Sequence, residues 1–208
     1  YDSQGEADSV ILENLWYYYA LKNTQEMARV LGHREDVIKY KSQLNKMNKT
    51  INNNFWDGEG YKTAEYEGYD VRVNAIAVLS GIADEEKYES LLSIIENSYN
   101  NSTFMEKYIL EAMSEIGEIE KVQNRIKTRY SDMIKNQDYS TTLWEYWFNS
   151  SGSKNHAWTG GPLIIMSKYF AGIKPLEPGY SEILIKPDFG NLSKLNSKVN
   201  TVRGIIEM

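Results

Sequence analysis

Residues 71–80 read Val-Arg-Val-Asn-Ala-Ile-Ala-Val-Leu-Ser, a run that is apolar on nearly every face if it is helical. A helix apolar all round is buried, whereas a helix at a protein surface carries a single apolar stripe. The preceding segment, residues 34–55, has one stripe, formed by Val37, Tyr40, Leu44, Met47 and Ile51. A half-exposed helix followed by a buried one predicts a helical hairpin with an outer and an inner member.

The same alternation continues on both sides of this pair. Apolar periodicity predicts seven helices, at about 9–31, 34–55, 71–80, from 84, from 103, 118–133 and 161–171. The second, fourth and sixth have one stripe, whereas the third, fifth and seventh are apolar nearly throughout. This pattern is typical of an α/α barrel or of stacked helical hairpins. The predicted fold class is mostly α, a partial six-hairpin α/α barrel (toroid) with inner and outer helices.

Prolines at 175 and 178 end the helical part of the sequence. Three stretches with strand-like content follow, at 180–186, 192–199 and 201–208. We therefore predict a partial barrel domain over residues 1–172 and the start of a C-terminal β-domain over residues 173–208. The sequence begins without methionine and stops inside an apolar run, so we expect a fragment of a longer protein.

Composition excludes several classes of function. The net charge of −6, with scattered basic residues, argues against nucleic acid as a partner. No apolar run approaches the roughly 20 residues of a membrane span, so we expect no membrane partner. The chain has no cysteine and only two histidines, and it lacks phosphate-binding loops. We therefore expect neither a metal nor a cofactor.

The connections from outer to inner helices all fall at one end of such a barrel. They span residues 55–70, 99–103 and 136–157, and they are long and aromatic. Their aromatic residues include Trp56, Tyr61, Tyr66, Tyr69, Tyr139, Trp144, Tyr146 and Trp147. Loops presented by a rigid framework carry function, and aromatic rings stack on the apolar faces of sugars. The functional site is therefore predicted at this end.

Glu145 is the only carboxylate in the most aromatic stretch, residues 141–162. A carboxylate among aromatic rings can have a shifted pKa and act as a general acid or base. It can also pair with an arginine or cap a helix. His156 is a candidate to hydrogen-bond a sugar hydroxyl or to orient Glu145. It could equally cap the following helix or donate to a buried carbonyl. The rings of Trp144, Trp147 and Trp158 are candidates for stacking on substrate or for the core.

Four motifs stand out in the second half of the chain: Thr142-Leu-Trp-Glu145, Asn155-His-Ala-Trp-Thr-Gly-Gly-Pro-Leu163, Tyr169-Phe-Ala-Gly-Ile-Lys-Pro-Leu-Glu-Pro-Gly-Tyr180 and Ile185-Lys-Pro187. Together they resemble the C-terminal part of bacterial α-L-rhamnosidases. Weaker matches continue upstream in the right order, for example Phe55-Trp-Asp57 and Phe104-Met-Glu-Lys-Tyr108. The resemblance thus covers essentially the whole chain.

The resemblance implies a six-hairpin α/α barrel followed by a β-sandwich domain. It further implies hydrolysis of terminal α-L-rhamnosides with inversion, on a rhamnose-containing glycoside or polysaccharide. Glu145 falls on the position of the general base, His156 on a position that contacts rhamnose, and Trp144 and Trp158 lie beside them in the pocket. The mechanism requires no cofactor.

The family's general acid is a glutamate in a motif that precedes this chain. We therefore expect the isolated chain to be inactive. A partial barrel also leaves apolar faces of its inner helices open, so we expect the chain to self-associate. Two other functions fit the residues. One is another α/α-barrel carbohydrate hydrolase, of glucosidase or glucuronidase type, and the other is a helical-hairpin binding scaffold without catalysis.

Overall fold

The computed structural model describes residues 6–136, 138, 142–148 and 151–208. Tyr139 and Thr141, which belong to the predicted aromatic connections, lie outside the described residues. The chain divides into two compact units, Tyr1–Asn101 and Ser102–Met208.

The first unit contains two helical hairpins. Helix α1 spans Ser9–Val30, α2 spans Arg34–Phe55, α3 spans Val71–Ser80 and α4 spans Tyr88–Asn97. A single 3-10 turn, Glu85–Lys87, precedes α4, so the α-helix begins four residues later than the sequence predicts. The predicted stop after α1 is confirmed, because Gly32 takes a left-handed φ of 78° that favours glycine.

Burial in this unit follows the predicted alternation. Helix α3 buries nine of its ten residues, and it packs against α1 and α4. Helix α2 buries only Leu44 and Ile51, and it packs against α1. Helix α3 is therefore an inner member, and α2 and α4, which bury two and three residues, are outer members of their hairpins. Helix α1 buries five of its 22 residues. Tyr99, predicted on the buried stripe of the fourth helix, lies beyond its end and is 53% exposed.

The second unit continues the pattern with α5 at Thr103–Ile116 and α6 at Ile119–Arg129. A single sixth helix over 118–133 is predicted, and this prediction is wrong. The helix α6 ends before Tyr130, and a separate helix α7 spans Ser131–Lys135. Tyr130 is only 2% exposed and packs edge-on against Trp147 at a ring distance of 5.3 Å. The break thus lies at a residue whose ring is held in the core.

The predicted seventh helix is also two elements. Helix α8 spans Gly161–Ile165 and continues directly into a π-helical turn, Met166–Phe170. A Cβ on Gly161 would lie 2.8 Å from Lys107 Cβ, so glycine allows α5 and α8 to approach closely. Helix α8 is not buried on every face as predicted, because the side chain of Leu163 is 71% exposed and Ile164 is 47% exposed.

Two short antiparallel sheets form the tail. Strand β1 (Ile173–Pro175) pairs with β2 (Ile183–Ile185), and β3 (Lys198–Thr201) pairs with β4 (Gly204–Glu207). The predicted strand over 192–199 begins only at Lys198. Val199 pairs with Ile206, and Asn200 pairs with Ile205. Successive side chains of each strand therefore lie on opposite faces of the hairpin.

The predicted fold class is confirmed: the chain is mostly α, built from hairpins of inner and outer helices, and ends in a short β-rich tail. In the part of the chain that the structure describes, no helix has both the length and the apolar content needed to cross a membrane.

Candidate active site

The aromatic connections meet the starts of inner helices within each unit. In the first unit, the segment before α1 contacts the connection between α2 and α3, since the amide of Thr63 donates to the Asp8 carboxylate at 2.6 Å. In the second unit, the hydroxyl of Thr103, at the start of α5, donates to the carbonyl of Glu145. The predicted grouping of long connections at one end of the hairpins thus holds inside each unit.

The buried polar residues at this end of the first unit make structural contacts with one another. Asp70 accepts from the side chain of Arg72 at 2.8 Å and from the amide of Asp8 at 3.1 Å. Asn74 accepts from the amide of Tyr61 at 2.8 Å, which fixes the aromatic connection against α3. All five residues are less than 9% exposed. These contacts hold the connection in place by satisfying buried polar groups.

Glu145 lies in a loop of the second unit with its carboxylate partly open to solvent. The side chain is 20% exposed, and its Oε2 accepts from the amide of Ser153 at 2.9 Å. The amide of Glu145 in turn donates to the Ser153 carbonyl at 2.9 Å. Among the described residues, no lysine or arginine forms an ion pair with Glu145, and the His156 imidazole lies 3.6 Å from its Oε2. The alternative role of an arginine partner therefore finds no support.

The surroundings of Glu145 favour its ionised form. The hydrogen bond from the Ser153 amide lowers the pKa of the Glu145 carboxyl. The hydrogen bond from the Tyr146 hydroxyl and the charge interaction with His156 lower it further. Desolvation opposes these effects without reversing them. The same contact raises the pKa of Tyr146 above its usual value. Glu145 is thus ionised at neutral pH, which is the state that a general base requires.

His156 and Trp158 form an exposed pair of rings beside this carboxylate. The Nδ1 of His156 lies 3.6 Å from Oε2 of Glu145, and its ring centre is 4.1 Å from that of Trp158. Trp158 is 41% exposed, and its Nε1 donates to the Glu145 carbonyl at 3.4 Å. Phe104 supports the other side of Trp158 at a ring distance of 5.7 Å. The structure therefore brings three of the predicted site residues together.

Trp144 and Trp147 belong to a packed cluster behind the loop. Trp144 is only 2% exposed and packs with Tyr130 and Met133. Trp147 is half-buried at the edge of that cluster, and the Arg129 guanidinium lies 4.0 Å from its ring centre. Both rings support the loop that carries Glu145, and direct contact of either with a sugar remains a prediction. A cavity of about 340 Å³ lies next to them and is also lined by residues of α7.

Sequence reasoning missed the residues that hold the loop through its backbone. Gly152 takes a left-handed φ of 77°, and a Cβ there would lie 2.7 Å from the ring of Tyr146 and 3.1 Å from Oε2 of Glu145. The only signal in the sequence is a glycine between two serines. Thr103 and Thr159, which bond to the Glu145 and Trp144 carbonyls, give no sequence signal.

The described residues contain no group of three or more histidine, aspartate or glutamate side chains arranged to hold a metal ion.

Comparison with known protein families gives two matches that together span the chain. Residues 1–170 match the bacterial α-L-rhamnosidase six-hairpin glycosidase domain. Residues 172–208 match the bacterial α-L-rhamnosidase C-terminal domain. No curated protein sequence matches the chain.

Solved structures share the fold at low sequence identity. A GH78 family rhamnosidase of Bacillus sp. GL1 has a TM-score of 0.80 and 20% identity over 94% of this chain. The α-L-rhamnosidase of Dictyoglomus thermophilum has a TM-score of 0.77 and 22% identity over 93% of this chain. That of Streptomyces avermitilis, solved with L-rhamnose, has a TM-score of 0.76 and 16% identity over 93% of this chain.

The chain spans 23%, 23% and 20% of these three proteins, respectively. The six-hairpin domain match alone covers most of the chain, and its name agrees with the hairpins of inner and outer helices. The chain therefore belongs to the bacterial α-L-rhamnosidase family.

Proposed function

We propose that this chain is part of a glycoside hydrolase that removes terminal α-L-rhamnose, and that Glu145 is its general base. The observation that carries the proposal is the geometry of Glu145, a partly exposed carboxylate whose Oε2 accepts from the Ser153 amide at 2.9 Å and lies 3.6 Å from Nδ1 of His156. The loop around it places an imidazole and an indole ring at its side. Family membership supports the reaction class.

The direction of the pKa shift supports a base in preference to an acid. A general acid must hold its proton at the working pH, so its pKa is raised, whereas a base must be ionised. The pKa of Glu145 is lowered, so this carboxyl group is deprotonated and can take a proton from water. In an inverting hydrolase, that water attacks the anomeric carbon on the face opposite the leaving oxygen.

Inversion requires a second carboxyl group to protonate the leaving oxygen, at roughly 6.5–9.5 Å from the base. We infer that this general acid lies in a part of the protein that precedes this chain, so that the chain alone does not hydrolyse rhamnosides. Turnover of an aryl α-L-rhamnoside by the purified chain, free of contaminating hydrolase, would overturn that inference.

His156 and Trp158 are the proposed sugar-contacting residues, because their rings lie beside the carboxylate with 30% and 41% exposure, respectively. The imidazole offers a hydrogen bond to a hydroxyl group, and the indole offers an apolar face to the sugar ring. We assign Trp144 and Trp147 to the support of the loop that carries Glu145, since both pack in the cluster of Tyr130 and Met133. We place the boundary between barrel and β-domain at residues 172 and 173.

The proposal is tested with the full-length enzyme and a panel of aryl glycosides that includes α-L-rhamnoside, glucosides and glucuronides. Proton NMR of the first product formed reports the anomeric configuration. We expect hydrolysis of the α-L-rhamnoside alone, with β-L-rhamnose appearing first. Preference for a glucoside or glucuronide would support the other barrel hydrolases, and no hydrolysis of any member would support a binding scaffold.

A further inference from the structure

The loop that carries Glu145 has no secondary structure of its own to fix it. Residues 142–148 form neither helix nor strand, so their peptide groups are held by other parts of the second unit. Two consecutive carbonyls, those of Trp144 and Glu145, each accept a threonine hydroxyl. Thr159 donates to the Trp144 carbonyl at 2.6 Å, and Thr103 donates to the Glu145 carbonyl.

The hydroxyl of Thr103 is not needed by its own helix. Ser102 caps α5, because its side chain accepts from the amide of Met105 at 3.2 Å. Thr103, the first residue of α5, is 1% exposed, and its hydroxyl reaches a carbonyl 42 residues further along the chain. A buried hydroxyl must find an acceptor, so this contact ties the Glu145 peptide group to the start of α5.

Thr159 makes the corresponding contact from the other side of the loop. It is fully buried in the 3-10 turn Ala157–Gly160, where its amide donates to the His156 carbonyl at 3.2 Å. Its hydroxyl bonds a carbonyl 15 residues earlier in the chain. The turn that presents His156 and Trp158 is therefore joined to the loop that presents Glu145.

Both threonines lie on elements that pack closely together. The turn with Thr159 leads directly into α8, and α8 approaches α5 so closely at Gly161 that a Cβ there would lie 3.0 Å from the Cα of Lys107. The two hydroxyls thus attach neighbouring peptide groups of one loop to a single pair of packed helices.

We propose that Thr103 and Thr159 are positioning residues that set the direction of the Glu145 carboxylate through the carbonyls of Glu145 and Trp144. The inference rests on the proposed role of Glu145 as general base, and neither threonine contacts the substrate. A catalytic group must be held within about 0.5 Å of its productive position. A displacement of about 1 Å can lower the rate by about 10².

The test uses Thr103→Val and Thr159→Val in the full-length enzyme, since valine keeps the shape of threonine and removes the hydroxyl. We expect each change to lower kcat by about 10- to 100-fold. KM should change by less than about threefold in Thr103→Val, whereas it should also rise in Thr159→Val, because Thr159 lies in the turn that carries Trp158 and follows His156. Thr103→Ser and Thr159→Ser restore the hydroxyl and should keep kcat within about threefold of the native value. The acidic limb of the pH profile should move upward in the valine variants, because a displaced loop weakens the Ser153 bond to Glu145.

Ser114→Ala is the matched control. Ser114 is also a buried hydroxyl on α5, and it donates to the Leu110 carbonyl at 2.7 Å, within its own helix. Its loss should leave kcat and the pH profile unchanged. If a valine variant does not fold, Thr103→Ala and Thr159→Ala carry the same test without the added methyl group.

The outcomes separate this inference from the proposed function. Loss of turnover in Glu145→Gln together with near-native kcat in folded valine variants would overturn the positioning role and leave the base assignment standing. Near-native turnover in Glu145→Gln would overturn the base assignment itself. Equal loss of kcat in the serine and valine variants would also contradict the inference, because the serine variants retain the hydroxyl.

Discussion

Glu145 and Ser153 are joined by two hydrogen bonds, one in each direction. The Ser153 amide donates to Oε2 of Glu145 at 2.9 Å, and the Glu145 amide donates to the Ser153 carbonyl at 2.9 Å. The first bond lowers the pKa of the carboxyl group, and the second holds its backbone opposite Ser153. The charge and the position of the proposed base therefore depend on the same short loop.

The first prediction concerns Gly152, the residue before Ser153. Gly152→Ala places a Cβ 2.7 Å from the Tyr146 ring and 3.1 Å from Oε2 of Glu145, at a φ of 77°. We expect it to lower both stability and kcat, since the left-handed backbone costs about 1–2 kcal/mol and the methyl group displaces the loop.

The matched control is Gly32→Ala, with a φ of 78° and nothing within 4 Å of the added Cβ. Its Tm should fall because of the backbone strain, whereas its kcat should stay unchanged. Thermal unfolding and steady-state kinetics on both variants check the prediction. Equal kcat in the two variants would contradict it.

The second prediction is the pH dependence of the reaction. A base is active when ionised, so activity is present above its pKa and is lost as the pH falls through it. Because the pKa of Glu145 in the free protein is lowered from its ordinary 4.5, the acidic limb of kcat/KM should lie below that value. His156 is a positive neighbour that contributes to the lowering, so His156→Asn should move the limb upward. A downward shift in that variant would contradict the assignment.

The third prediction concerns a buried ion pair under the loop. Glu106 accepts from Arg125 at 2.8 and 3.1 Å, and Arg129 lies 3.9 Å away. Removing one partner of a buried pair typically costs about 3–5 kcal/mol, since the other charge stays buried. We expect Glu106→Gln to lower the free energy of unfolding by that amount in a denaturant titration.

The control for this prediction is Glu26→Gln, which removes an exposed contact with Arg29 at 2.6 Å. Water screens that pair, so its loss should not measurably change the denaturation midpoint. Similar effects of the two substitutions would show that burial does not determine the strength of the Glu106 contact.

The fourth prediction is self-association of the isolated chain. Leu163, Ile164 and Met166 are 71%, 47% and 42% exposed along α8 and the turn that follows it. Apolar patches of this kind promote association. Sedimentation velocity at micromolar concentration should show a dimer or larger species, and Leu163→Glu with Ile164→Lys should shift it toward monomer. A stable native monomer would contradict the prediction.

Much of the fold can be predicted from apolar periodicity, because the residues on the buried face of a helix recur at the helical spacing. The ends of α2 and α3 are those predicted, and Gly32 marks the end of α1. The break at Tyr130 could not be predicted in this way. The apolar stripe of Ile126, Tyr130 and Met133 continues across the break, so the pattern gives no sign of it.

The candidate site was predictable only in its side-chain chemistry. Glu145 can be selected from the sequence because it is the only carboxylate in an aromatic stretch, where a carboxylate can have a shifted pKa. The Ser153 amide that causes the shift could not be found, because any non-proline residue has an amide and its direction depends on the folded loop. The same holds for the threonine contacts, which bind carbonyls 15 and 42 residues away.

The most direct test of the account is the turnover of Glu145→Gln in the full-length enzyme, measured on an aryl α-L-rhamnoside. Glu182→Gln, a change at an exposed carboxylate, is the control and should be neutral. We expect Glu145→Gln to fold normally, to keep a similar KM and to lose about 10²–10⁴ in kcat, the usual contribution of a general base. A folded Glu145→Gln enzyme with near-native kcat would contradict the assignment of Glu145 as the base.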